Sequence, residues 1–184
     1  GKWLIAIGIK IFGDNEFGWR FMGALLGSIM VILIALVAQR LFRNEFLTVC
    51  ASALIAMDGL ALVHSRTALL DNFLAFFILA ATYFFISKRY WWTGLFLGLA
   101  LATKWSALYF IIAFGVIGLY RAFTHHTGRD LIKPSLQRIA TFGIVPVAVY
   151  VTSWAGWFLS DRGWGKDYSA NPIASFLNYH QQML

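Results

Sequence analysis

The stretch Trp91–Tyr120, WWTGLFLGLALATKWSALYFIIAFGVIGLY, decides how this chain folds. Its one charge is Lys104, near the middle. A bilayer core is crossed by roughly 20 apolar residues in a helix, so this run is long for one passage. A lysine at the centre of a single crossing would sit at the costliest depth. Division at Lys104 solves both problems, with one helix over 91–103 entering and a second over 104–120 returning.

Composition extends this reading to the whole chain. Of its 184 residues, 60% are hydrophobic and 12% charged, with a mean hydropathy of +0.70. A soluble domain carries about 25% charged residues. The apolar excess must therefore face lipid, which excludes an ordinary soluble enzyme. Hydrophobic content spread this widely does not read as a signal peptide, because no short basic start leads to a small-residue cleavage site. The net charge is +7 and the pI about 9.8. In a soluble protein this would suggest nucleic acid. Here the bases cluster between apolar runs, so they report orientation in a membrane, with no nucleic-acid partner. Cys50 is the one cysteine and lies within an apolar run, where it reads as a small packing residue.

Working outward, residues 1–12 form a juxtamembrane helix flanked by lysines, and Gly13-Asp14-Asn15 signals a turn. Further spans are expected over about 18–38, 46–63, 68–86 and 139–159, with a polar loop over 121–138 and an outer-face segment over 160–184. The expected fold class is all-α, a polytopic transmembrane helical bundle forming one partial membrane domain. With the first span starting outside, the inner loops hold Arg40, Arg43, Lys88, Arg89, Arg121, Arg129, Lys133 and Arg138 against Glu45 and Asp130. The outer side and helix ends hold seven bases and six acids. This is the asymmetry of the positive-inside rule, and it requires the division at Lys104.

The same topology gathers Lys2, Asp14, Glu16, Arg20, Asp58, His64, Arg66, Asp71, Lys104, Asp161 and Arg162 near the outer face. Ionisable groups at helix ends either snorkel and pair with each other or line a site. Three local patterns stand out. In HSRTALLD, residues 64–71, Arg66 and Asp71 bracket a helix start, and Asp71 is also placed to interact with the helix dipole. In LALATKWSALY, residues 99–109, Lys104 is a cation for a lipid phosphate and Trp105 an interfacial anchor. In EFGWRFMGALLGS, residues 16–28, Arg20 precedes Gly23, Ala24, Gly27 and Ser28, which read as a helix-packing surface. His64 is either a boundary residue or a proton acceptor. His125 and His126 lack neighbouring acids or cysteines for a metal site, and no GxxxxGK[ST] phosphate loop is present.

Several longer stretches resemble the protein O-mannosyltransferase family. GKWLIAIGIKIFGDNEFGWRFMGALLGS, residues 1–28, resembles the segment following the family's His-Pro-Pro. HSRTALLDNFLAFF, residues 64–77, resembles its Arg-x-x-Leu-Leu-Asp helix start, and GLALATKWSALY, residues 98–109, its Lys-Trp segment. WAGWFLSDRGWGKDY, residues 154–168, and SFLNYHQQML, residues 175–184, are similar to a later stretch of its bacterial, particularly actinobacterial, members. The resemblance runs along essentially the whole chain in the family's order.

It implies a GT-C type membrane glycosyltransferase in a bacterial plasma membrane, with its active face outward. The donor would be polyprenyl-phosphate mannose and the acceptors Ser or Thr hydroxyls of secreted proteins. By matched motif, Lys104, Arg20, Arg66 and Lys2 are expected at the donor phosphate, supported by Asp71, Trp105 and His64. No cofactor is implied, and the sequence does not decide the use of a divalent metal. The His-Pro-Pro and the acidic loop bearing the family's catalytic Asp have no counterpart in these residues. The chain is therefore expected to be a stretch of a longer protein, with the general base lying upstream. Two rivals remain: a GT-C transferase with a lipid or cell-wall acceptor, and a transporter segment. Clustering of the charges near one face and the lack of a repeat weigh against the transporter.

Overall fold

A computed structural model describes residues 1–125, 128–160 and 171–182, and all regular structure among them is helical. His126, Asp161 and Arg162 lie outside the described residues. The chain forms two compact units, Gly1–Val149 and Tyr150–Leu184.

Helix α1, Lys2–Phe12, ends at Gly13, whose φ of 87° suits glycine. Asn15 then caps α2, Glu16–Phe42: its Oδ1 accepts from the Gly18 N–H at 2.8 Å, and its Nδ2 donates to the Phe12 carbonyl at 2.8 Å. One side chain thus closes the old helix and opens the new one. Gly8 packs directly on the Gly18 backbone, which allows the two helices to approach closely.

Asn44 caps α3, Glu45–Met57, and Asp58 caps α4, Gly59–Arg66. The Asp58 carboxylate accepts from the Ala61 N–H at 2.7 Å. These helices meet at 56°, so the stretch read as a span over 46–63 is a bent pair. Helix α5 covers Leu70–Ile86, α6 Tyr90–Leu101 and α7 Ala107–His125. The long apolar run is therefore two helices joined by a turn that carries Lys104. A 3-10 turn, Gly128–Leu131, leads to α8, Ile132–Ile139. A π-helical turn, Ala140–Ile144, connects α8 to α9, Val145–Ser153. Helix therefore begins at Ile132, within the segment read as loop. In the second unit α10 covers Ala155–Leu159 and α11 Pro172–Gln182.

Helix α2 packs against α5, with its second turn beside the first turn of α5. Gly23 packs near the Asn72 amide, while Leu26 joins Phe73, Phe77, Ala100 and Ala107 in one apolar cluster. A second cluster, Ala81, Phe85, Leu97, Ile111 and Phe142, fills the opposite end of α5. Elsewhere large apolar side chains point outward, including Phe46, Leu54, Met57 and Tyr109. Three stretches among the described residues are long and apolar enough to cross a membrane: Glu16–Phe42, Ala107–His125 and Ile132–Ser153. The bent α3–α4 pair makes a fourth. In each of the three, only 22% of the apolar window is buried inside the protein, which suits a lipid-facing exterior.

Candidate functional site at the Asp71 end of the bundle

Asp71 is the second residue of α5, where unpaired backbone N–H groups and the helix dipole favour an anion. Lys104 lies in the turn between α6 and α7. Its Nζ donates to Asp71 Oδ1 at 2.7 Å. Both side chains are about half exposed, so the contact lies at the edge of the packed helices. An exposed pair contributes only about 0–1 kcal/mol to stability, so its main consequence is positional. An ammonium has three donors, and one directed at Asp71 leaves others for a phosphate oxygen.

The start of α1 belongs to the same corner. Gly1 packs against Leu70 and Thr103, the sequence neighbours of Asp71 and Lys104. Lys2 follows directly and is exposed. From this corner α1 reaches the first turn of α2 through Gly8 and Gly18, and so lies across the end of the bundle. Trp105, beside Lys104, is partly exposed.

Arg20 projects from the second turn of α2. Its NH1 lies 3.9 Å from Glu16 Oε2, with both groups mostly exposed. Arg20, Gly23 and Gly27 share a helix face by their spacing. Gly23 packs on the Ser65 and Thr67 carbonyls and Gly27 on the Ser65 side chain, as expected of a packing surface. Arg20 therefore sits one turn beyond the contact that holds α2 to the α4–α5 connection. Arg66 ends α4, is exposed and forms no ion pair among the described residues. His64 is partly buried in the same last turn.

The structure thus joins Asp71 to Lys104, places Lys2 at their corner, and puts Arg20 and Arg66 on adjoining helix ends. Two acids there have other partners. Asp14 Oδ1 accepts from the Trp19 indole N–H at 2.7 Å, and Glu16 faces Arg20. The residue missed in the sequence reading is Asn72, which is 2% exposed. Its Nδ2 donates to the Gly23 carbonyl at 2.9 Å and fixes α5 against α2 beside Asp71. A polar residue next to a motif aspartate, at the start of an apolar helix, was the available signal. A cleft of about 130 Å³ between α2 and the α3–α4 bend, lined by Gly27, Met30, Ile55 and Leu62, has no titratable group. No cluster of three His, Cys, Asp or Glu suited to a metal occurs among the described residues.

These features define a polytopic all-α membrane protein with a cationic corner at one end of its helices. Residues 2–158 match the dolichyl-phosphate-mannose-protein mannosyltransferase family, and the chain belongs to that family. It is 40% identical over 199 residues to the polyprenol-phosphate-mannose–protein mannosyltransferase of Mycolicibacterium smegmatis, covering 88% of this chain and 39% of that protein. The protein of the same name from Mycobacterium tuberculosis is 36% identical over 199 residues, covering 88% and 38%. That from Corynebacterium glutamicum is 32% identical over 201 residues, covering 87% and 38%. The chain spans about two fifths of the length of these curated relatives. No solved structure matches it.

Proposed function

We propose that this chain forms part of a membrane enzyme that moves mannose from a polyprenyl-phosphate carrier to Ser or Thr hydroxyls of secreted proteins. The observation that carries this reading is the Lys104–Asp71 contact in a chain of this family. Lys104 binds the carrier phosphate, and Asp71 holds the ammonium in place. Lys2, Arg20 and Arg66 add positive charge around the same corner, while His64 and Trp105 border it. As the sugar–oxygen bond breaks, its electron pair passes to the phosphate. Cations placed there stabilise the developing charge more than the ground state. The acceptor hydroxyl attacks the anomeric carbon with inversion and gives its proton to a carboxylate base. Asp14 and Glu16 are not assigned that role, given their contacts with Trp19 and Arg20. The bias of basic residues toward the other end of the helices supports a plasma-membrane protein with this corner outward.

The test is transfer by the full-length protein in membranes, using labelled polyprenyl-phosphate mannose and a Ser/Thr-rich peptide. Label on the peptide, greatly reduced by Lys104→Ala, supports the reaction and the phosphate site. Transfer that survives the substitution keeps the enzyme class and removes Lys104 from the site. Label in lipid with none on the peptide replaces the protein acceptor by a lipid one.

A further inference from the structure

At the opposite end of the bundle, α8 is built with its polarity reversed. Ile132, Leu136 and Ile139 recur at spacings of four and three and are 59%, 60% and 53% exposed. Ser135, Arg138 and Thr141 recur every three residues and turn inward. Arg138 is only 8% exposed, and its Nε and NH1 have no hydrogen-bond partner. The hydroxyls of Ser135 and Thr141 are likewise buried without one. No carboxylate lies within 4 Å of Arg138 among the described residues. The guanidinium carbon lies 3.2 Å from the Tyr90 ring centre, and that of Arg121 lies 4.8 Å from the Phe85 ring centre. The two rings meet edge to face with centroids 5.9 Å apart.

Stacking on Tyr90 satisfies the face of the Arg138 guanidinium and leaves its Nε and NH1 donors unmet. A buried charge without hydrogen bonds is costly, and in a membrane protein it commonly marks a binding site. The set calls for an anion with several acceptor oxygens. The outward apolar stripe of α8, with exposed Tyr120 and Phe123 on α7, supplies a surface for acyl chains beside it. Exposed Lys88, Arg89 and Arg121 at the same helix ends add long-range attraction. We propose that Arg138, with Ser135 and Arg121, binds the phosphate of an anionic phospholipid headgroup at this end of the bundle. The site uses none of the residues of the cationic corner, so it stands or falls apart from the proposed reaction.

The test uses the full-length protein purified in detergent and supplied with phosphatidylglycerol, phosphatidylcholine or inorganic phosphate. Native mass spectrometry reads bound lipid, and thermal unfolding reads stabilisation. Phosphatidylglycerol should be retained at least ten-fold more strongly than phosphatidylcholine and should raise the unfolding temperature. Arg138→Gln should remove that preference, and Arg138→Lys should keep part of it, because an ammonium retains charge without the planar fork. Should Arg138→Gln fail to fold, Arg121→Gln, altered at an exposed side chain, should still lower the preference severalfold. Equal retention of both lipids would overturn the proposal. So would a phosphatidylglycerol preference untouched by both glutamine variants, which would leave Arg138 to a carboxylate elsewhere in the polypeptide. Equal protection by inorganic phosphate would make this a small-anion site and overturn the lipid assignment.

Discussion

Lys104 Nζ and Asp71 Oδ1 lie 2.7 Å apart, joining the α6–α7 turn to the first turn of α5 across 33 positions of sequence. The contact brings together two segments that were each legible as a local motif. It gives the lysine a fixed place at the end of the helices and leaves it half exposed to a ligand.

A double-mutant cycle should separate position from stability. A charge-assisted hydrogen bond contributes about 1.5–3 kcal/mol, so Lys104→Ala should lower kcat/KM by roughly 10- to 100-fold. Asp71→Asn should cost less, because the lysine remains but is no longer held. The double variant should be no slower than Lys104→Ala alone, since Asp71 acts through Lys104. Unfolding temperatures should change little in all three. Additive losses in kcat/KM would show that Asp71 has a role of its own.

How much of this was legible depended on the range of the interaction. The all-α class followed from apolar runs and their length, and the two-helix reading of residues 91–120 from Lys104. The motif residues could be picked out, but their pairing could not, because contacts between distant segments leave no local periodicity. The bend at Asp58 was hidden because Asp in an apolar run reads equally as a boundary residue or a cap. Lys133, Gln137 and Arg138 lower the average hydropathy of the α8 segment, so in sequence it reads as loop. The 4–3 spacing of Ile132, Leu136 and Ile139 carried the helix signal, and an arginine facing inward from it requires the tertiary structure.

Asn72 gives a prediction on how α5 is held to α2. Interhelical hydrogen bonds in membranes average about 0.6 kcal/mol and reach about 1.7. Asn72→Ala also leaves a cavity in a fully packed place, so the total loss should be roughly 1–2 kcal/mol. Asn72→Asp should be worse despite its similar size. A carboxylate there would face the Gly23 carbonyl, acceptor against acceptor, as a buried charge. Reversible unfolding in detergent should rank wild type, Ala and Asp in that order; equal stability of Asp and wild type would contradict the assigned contact.

Asp58 tests whether the α3–α4 bend depends on its cap. Loss of an N-cap side chain costs about 1 kcal/mol, whereas Asn can replace Asp at that position. Asp58→Ala should therefore destabilise the protein by about that amount, and Asp58→Asn should leave it nearly unchanged. The Ala61 amide should exchange with deuterium faster in the Ala variant alone. Matching exchange in both variants would assign the bend to other contacts.

Two glycines distinguish obstruction by a side chain from obstruction by backbone. A methyl group at position 27 would come within 2.6 Å of Ser65 Cβ, whereas one at position 94 would meet the Thr141 carbonyl oxygen. Overpacking of this kind costs about 1–3 kcal/mol. Gly27→Ala should be relieved by Ser65→Gly, which removes the obstructing atom, so the double variant should be more stable than the sum of its parts. Gly94→Ala should lie at the upper end of the range and resist rescue by Thr141→Ser, because a carbonyl cannot be trimmed. It should also loosen α6 from the π-helical turn and with it the Tyr90–Arg138 stacking. Thermal unfolding of the single and double variants checks this. Ready tolerance of Gly94→Ala would mean that α6 does not lie against the Thr141 backbone.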